Sequence, residues 1–253
     1  AYDDALPGNN NWGAGTNGNG GNESTFRDQE YNFKSWHNAY PHEDLVAAFE
    51  PGDLRKSGTI YEVGDLYNNG NDAVELASLF VDNLQRDHAW KKYQTFYKSL
   101  ETDTESGINF KYLRYADVLL MMAECENEVG TQAAAIGYIN QVRDRAGLAD
   151  LPATVDTKEE VFDAIVQERR VEFGGEQIRF NDLIRWGIAD ETLENTLVVV
   201  PSNLDAADGA DYIAQQEAAH AAFNPSKNVL WPIPEREINS NENVGPEDQN
   251  PGY

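Results

Sequence analysis

Apolar and polar residues recur with a helical period of three to four through residues 111–187, and nowhere else is that pattern so sustained. Four consecutive helices are expected there: KYLRYADVLLMMAECENEVG, TQAAAIGYINQVRDRAG, TKEEVFDAIVQERRVEFGG and EQIRFNDLIRWG. In the second, Ala135, Ile139, Val142 and Ala146 make one apolar stripe, and Gly147 stops the helix where a positive φ is needed. The third opens on Thr157 with Glu160 three residues on, a capping box that satisfies two amide donors of the first turn. Phe162, Ile165, Val166 and Phe173 are expected on its buried side.

The flanks are less regular. Residues 9–22 read NNNWGAGTNGNGGN, a Gly/Asn stretch unsuited to helix or strand. Trp12 within it either folds back as a loop anchor or offers a flat apolar surface to a ligand. Trp36, His37 and Tyr40 cluster before Pro41, whose fixed φ stops a preceding helix. His42 to Phe49 is a short helix with Leu45, Val46 and Phe49 on one face. The turn EPGDLRKSG leads to a strand at Thr59 to Val63, and Gly64 to Asp72 is a second Asn/Gly loop. Trp90, Tyr93, Phe96 and Tyr97 fit either a helix or a strand. Beyond Gly187, a β-branched run at Thr196 to Val200 precedes a helix at Asp211 to Phe223. The residues from 228 to 253, apolar around two prolines and then polar, form an extended strap.

Charge alters this picture most. Asp plus Glu number 44 against 19 Lys plus Arg, a formal net of −25, which repels phosphate backbones and anionic lipid and argues against a nucleic-acid partner. It is compatible with a neutral ligand, a divalent cation or a salty habitat. The single cysteine, Cys125, lies in an apolar helix, is expected as a buried inert thiol, and says nothing of redox compartment. No run reaches the ~20 apolar residues of a membrane span. The chain lacks an initiator Met, as a mature product or a piece of a longer chain would.

Enzymatic signatures are missing. His37, His42, His88 and His220 form no HExxH and no pair one helical turn apart; there is no GxSxG, no phosphate-binding loop and no Cys–His metal spacing. The glycines at 13–21 lack the strand and helix that a nucleotide loop needs. Catalytic carboxylate pairs are recognisable only by their separation in space. Calcium could take oxygen ligands from Asp65 to Asp72, though without the DxDxDG spacing. Glu168, Arg169, Arg170, Glu172, Glu176, Arg179, Asp182 and Arg185 read as a charge lattice that fixes helix register.

Aligning Gly130 with the inter-helix glycine of a tetratricopeptide unit puts Ala123, Ala135, Ile139 and Val142 at its small and apolar positions. A lone hairpin of this kind cannot cover its own apolar faces and needs neighbours. YLRYADVLLMMAECENEVG, AAAIGYINQVRDRAGL, AIVQERRVEFGGEQIRFNDLIRWG and the terminal LWPIPEREINSNENVGPEDQNPGY, in that order, resemble the carboxy-terminal half of the SusD/RagB family, over Asp44 to Tyr253.

The resemblance implies a mostly α fold, with tetratricopeptide-like helical hairpins, long irregular loops and a few short strands. It implies non-catalytic capture of an oligosaccharide, or in some relatives a peptide, at the surface of a Bacteroidetes cell, and delivery to a SusC-like TonB-dependent outer-membrane transporter. It also implies that the whole of residues 1–253 is the family's carboxy-terminal region, with residues 1–43 a loop-rich ligand-side segment. An amino-terminal half bearing the lipidated cysteine that anchors such proteins to the outer membrane would then lie outside this chain. Family sites resemble shallow arcs of loop aromatics with polar side chains, which suits pyranose rings stacked on aromatics and hydroxyls bonded to amides and charges. Trp12, Trp36 and Tyr40, with Asn17, Asn22, Arg27 and Asp28, are the expected contacts. Trp90, Trp186 and Trp231 are assigned to core or strap packing.

Overall fold

The computed structural model describes residues 41–67, 70–75, 80–81, 84–85, 87–92, 111–195, 198, 200, 204–221 and 223–253. They fall into two compact units, the first ending at Gln177 and the second beginning at Ile178, so the helical run of 111–187 is shared between them.

Among the described residues of the first unit three helices are long: α3 (Tyr115–Val129), α4 (Gln132–Arg145) and α5 (Lys158–Glu172), preceded by α1 (Glu43–Ala48) and α2 (Leu54–Thr59). α3 and α4 form the expected hairpin, and α5 packs on both. The small side chains Ala123 and Ala135 are fully buried with Leu120, Ile139, Val142, Val161 and Ile165, which lets the helix backbones approach closely. Each large member contributes about 1.5–3 kcal/mol through removal from water. Val161, rather than Phe162 or Val166, completes the buried face of α5. Asn127, also buried, donates to the Lys158 carbonyl at 2.9 Å and ties α3 to the start of α5.

The caps follow the sequence. Thr157 accepts from the Glu160 amide at 3.2 Å while Glu160 Oε2 accepts from the Thr157 amide at 3.1 Å. Gly147 takes a φ of 76° immediately after α4. Residues 54–58, expected as part of a turn, and Thr59, expected to open the strand, are instead helical, because Asp53 accepts from the Arg55 amide at 2.9 Å and starts a turn of helix.

That helix shortens the strand expected at Thr59 to Val63. Only β1 (Ile60–Tyr61) pairs, antiparallel to β6 (Ala89–Trp90), which settles Trp90 as a strand residue; Tyr93, Phe96 and Tyr97 lie outside the described residues. The Asn/Gly loop after Gly64 contains a small hairpin of β2 (Leu66–Tyr67) and β3 (Asp72–Ala73), and β4 (Phe80–Val81) pairs with β5 (Leu84–Gln85). Tyr61, Tyr67, Val74 and Ala89 share one small core, with Tyr61 and Tyr67 edge to face at 6.5 Å. Phe49, Ile60 and Val171 share another, flanked by Leu45 and Val46 as the α1 stripe predicts.

Cys125 departs from expectation. It is exposed, because the buried face of α3 runs through Ala116, Leu119, Leu120, Ala123 and Asn127 and leaves position 125 on the opposite side.

The second unit holds α6 (Arg179–Trp186), α7 (Ala189–Glu194) and α8 (Ala206–Ala221), in which α7 packs on both of the others. Phe180 meets Phe223 edge to face at 6.2 Å. The segment from 228 on is not extended throughout. Pro234, with φ fixed at −56°, leads into α9 (Glu235–Ser240), and a 3₁₀ turn follows at Pro246–Asp248. Side-chain amides fasten the strap: Gln249 both accepts from the Ile233 amide at 2.7 Å and donates to its carbonyl at 2.9 Å, and Asn250 donates to the Trp231 carbonyl at 2.6 Å. With the backbone held this way the indole is not needed as an anchor, and Trp231 is 89% exposed rather than packed. Trp90 is buried as expected, and Trp186 is half-buried.

Candidate functional site

All seven expected ligand contacts, Trp12, Asn17, Asn22, Arg27, Asp28, Trp36 and Tyr40, lie outside the described residues. What the structure shows is the frame beginning at Pro41, and its centre is electrostatic.

Three carboxylates at successive turns of α5 and just beyond it, Glu168, Glu172 and Glu176, are 1%, 3% and 8% exposed. A buried carboxylate needs a partner, and each is engaged by cations from elsewhere in the fold. Arg55 reaches Glu168 at 2.5 Å and Glu172 at 3.2 Å, and grips Asp53 with a fork at 2.7 and 2.9 Å. Arg143 binds both oxygens of Glu50 at 2.5 and 3.0 Å and lies 3.4 Å from Glu168. Arg114 forks onto Glu176 at 2.7 and 2.9 Å and reaches Glu172 at 2.8 Å, where Arg145 also lands at 2.6 Å. Planar guanidinium groups meet carboxylate edges two bonds at a time, which sets direction as well as distance.

Lys92, placed just beyond β6, adds an ammonium 2.6 Å from Glu176 and donates to the carbonyls of Glu172 and Gly174 at 3.1 and 3.0 Å. It thereby closes the carboxy end of α5, whose last carbonyls have no partner within the helix. Arg114 and Arg169 both lie over the Phe173 ring, their guanidinium carbons 4.8 and 4.9 Å from its centre. Gly175, at φ 79°, leaves room for the Trp90 ring, which would stand 3.1 Å from a β-carbon there.

Titration behaviour follows from burial and these partners. Burial pushes the Glu168 carboxyl above its ordinary range, with Arg55 and Arg143 pulling against it. At Glu172 burial acts the same way, but the hydrogen bond from Arg114 and the charge of Arg145 prevail and hold the carboxyl below its ordinary value. The hydrogen bond from Arg143 lowers Glu50, and burial lowers Lys92 against the attraction of Glu176. For Arg55, burial is outweighed by Asp53 and Glu168, so its guanidinium is held more firmly protonated.

The expected charge lattice is therefore real in its carboxylates but different in its pairing. Arg169 turns to Asp117 on α3 at 2.7 Å and Arg170 pairs with Asp44 on α1, while Arg185 pairs with Asp182 three residues back at 2.9 Å, as the spacing expects. The cations that neutralise Glu168, Glu172 and Glu176 are Arg55, Arg114, Arg143, Arg145 and Lys92, none of which the spacing singled out. Arg143 and Arg145 carried a signal, since basic residues belong in a last helical turn. Arg55 and Lys92 carried none, because their partners are remote in sequence.

A smaller cluster joins α1, α2 and the β1–β6 pair: His88 contacts Glu43 at 2.9 Å and Glu62 at 3.5 Å, and Lys56 reaches Glu62 at 2.8 Å and lowers its pKa. At the candidate calcium loop, Asp65 accepts from the Glu62 amide at 2.9 Å. Among the described residues no three His, Cys, Asp or Glu side chains converge as metal ligands, and no helix is long and apolar enough to cross a membrane.

A helical hairpin with a third helix against it, short strand pairs and an amide-fastened carboxy-terminal strap define a scaffold of the SusD type. The SusD family model matches residues 5–253, and the chain belongs to that family. SusD-like protein P2 of Formosa agariphila is 28% identical over 205 residues, covering 78% of this chain and 34% of that protein. SusD-like protein P25 of the same organism is 43% identical over 84 residues, or 32% of this chain and 16% of that protein. A solved SusD superfamily protein from Bacteroides vulgatus is 28% identical with a TM-score of 0.62, covering 89% of this chain and 47% of the other. The chain thus spans about a third of P2 and about half of the solved relative.

Proposed function

We propose that the chain is part of a surface protein that captures an oligosaccharide without altering it and hands it to a SusC-like TonB-dependent transporter in the outer membrane. The observation that carries this reading is membership of the SusD family across residues 5–253. A lipidated amino terminus, on a part of the protein outside this chain, holds it at the cell surface. The net charge of −25 agrees with a neutral ligand such as a glycan. The commitment of Glu168, Glu172 and Glu176 to cations agrees with binding in place of catalysis, since a general acid or base needs a proton it can exchange with substrate.

Sugar contacts are assigned to Trp12, Trp36 and Tyr40 as stacking faces, with Asn17, Asn22, Arg27 and Asp28 as hydrogen-bonding groups. The test is calorimetry of the complete protein against a glycan panel. At about 1 kcal/mol for each lost ring, a Trp12→Ala/Trp36→Ala double variant should weaken binding by more than about tenfold. Binding of peptides but no glycan would overturn the reading, as would release of new reducing ends from any glycan of the panel.

A further inference from the structure

Lys92 and Arg114 stand at the two ends of residues 93–113, one just past β6 and the other just before α3, and they bind the same two acceptors. Glu176 Oε1 takes Lys92 Nζ at 2.6 Å and an Arg114 guanidinium nitrogen at 2.7 Å, while the second bond of the Arg114 fork falls on Oε2 at 2.9 Å. The Glu172 carbonyl oxygen also takes one bond from each, at 3.1 and 3.2 Å. An oxygen with two lone pairs can accept both. The chain therefore leaves the frame and returns to it at one point, and at that point sits a carboxylate only 8% exposed.

Two cations brought to one place repel each other, the more so where water is scarce. Burial works against the Lys92 ammonium, as does the nearby Arg114 charge, and Glu176 works for it. The two ends differ in what else holds them. On the β6 side the Lys91 and Lys92 amides donate to the Thr59 carbonyl at 2.9 and 3.3 Å, and the Trp90 ring lies against Gly175. On the α3 side Arg114 is the N-cap residue; its side chain makes no capping hydrogen bond, and its carbonyl accepts from the Asp117 and Val118 amides at 2.9 and 3.3 Å. The first turn of α3 thus takes its place from the grip of Arg114 on Glu176 and Glu172. We propose that Glu176 is a positioning residue that fastens both ends of residues 93–113, so that one carboxylate sets where this excursion leaves β6 and where α3 begins. Bringing two chain ends together costs entropy that rises with the length between them, and a shared ion partner at the base offsets that cost. This role is independent of the glycan reading.

Native-state hydrogen exchange of the complete protein, read at single amides, tests both ends at once. In Glu176→Gln the Lys91 and Lys92 amides at one end and the Asp117 and Val118 amides at the other should all exchange at least about tenfold faster than in the parent. Lys92→Met should quicken the first pair only and Arg114→Met the second pair only, because each leaves Glu176 its other partner. Ile139→Val, which lowers the stability of the whole fold without touching Glu176, should leave both pairs at their parent rates. Quickening of one pair or of neither in Glu176→Gln overturns the proposal. So does equal quickening in Ile139→Val, since the ends would then open only with the whole fold. Should Glu176→Gln fail to fold, the single-cation variants decide: either of them loosening both ends, or leaving its own end unchanged, overturns a shared fastening.

Discussion

Glu172 and Glu168 sit one turn apart on the same helix face and respond to acid in opposite senses. Glu172 has a folded pKa below its ordinary value of 4.5, so its contribution to stability is complete above that value and is lost as the pH falls through the folded one. Glu168 has a folded pKa above 4.5, so its contribution is present below that value and is lost as the pH rises through the folded one. In a series of thermal midpoints against pH, Glu172→Gln should flatten the fall on the acid side and Glu168→Gln should steepen it. Superimposable acid limbs for the parent and Glu172→Gln would remove this carboxylate from the account. At neutral pH Glu172→Gln should cost about 3 kcal/mol, because a buried ion set that loses one member leaves the others uncompensated.

At the scale of elements, the helices show how far local chemistry decides a fold. The ends of α4 and α5 were legible because Thr157, Glu160 and Gly147 each act within a few residues of themselves. Thr157→Ala should cost about 1 kcal/mol, seen as a fall of about 2–4 °C in the thermal midpoint; Thr157→Ser, which keeps the hydroxyl, should cost much less. An unchanged midpoint in the alanine variant would mean the cap is not limiting. Where side chains reach further, the sequence was mute. A turn was expected at EPGDLRKSG, yet Asp53 and Arg55 there feed a fork that ends on α5, and the strand after it is cut to Ile60–Tyr61. Cys125 and Trp231 were misplaced for a related reason. Residue type predicts burial only when something is present to bury against, and α3 shows a second, outward apolar face, of Val118, Met121 and Met122, with nothing described upon it.

For the whole molecule the family was readable from four ordered motifs, whereas the proposed ligand contacts were chosen by residue type alone, with no spacing rule behind them, and lie outside the described residues. Loop residues are chosen for what they touch, and neither periodicity nor capping constrains them. The charge of −25 acts at this scale too. At about 0.01 M salt the screening length is about 30 Å, comparable to a domain, and at 1 M it is about 3 Å. Repulsion among the acidic groups should therefore ease as sodium chloride is added, and the thermal midpoint at pH 7 should rise over that range. A midpoint that falls would show that attractive ion pairs outweigh the self-repulsion.

The cations and hydrogen bonds around α5 also bear on how a ribosome delivers this protein. Arg55 waits for Glu168, Ala48 for Gln167 and Asp44 for Arg170 across 113, 119 and 126 residues. At about 5–20 residues per second of synthesis, residues 41–62 spend several seconds outside the ribosome before their partners on α5 exist. Contacts of such separation form late and slowly. Until then the charged groups of this segment, which the finished fold pairs with Arg143, Glu168 and Arg170, have only water and their near neighbours as partners.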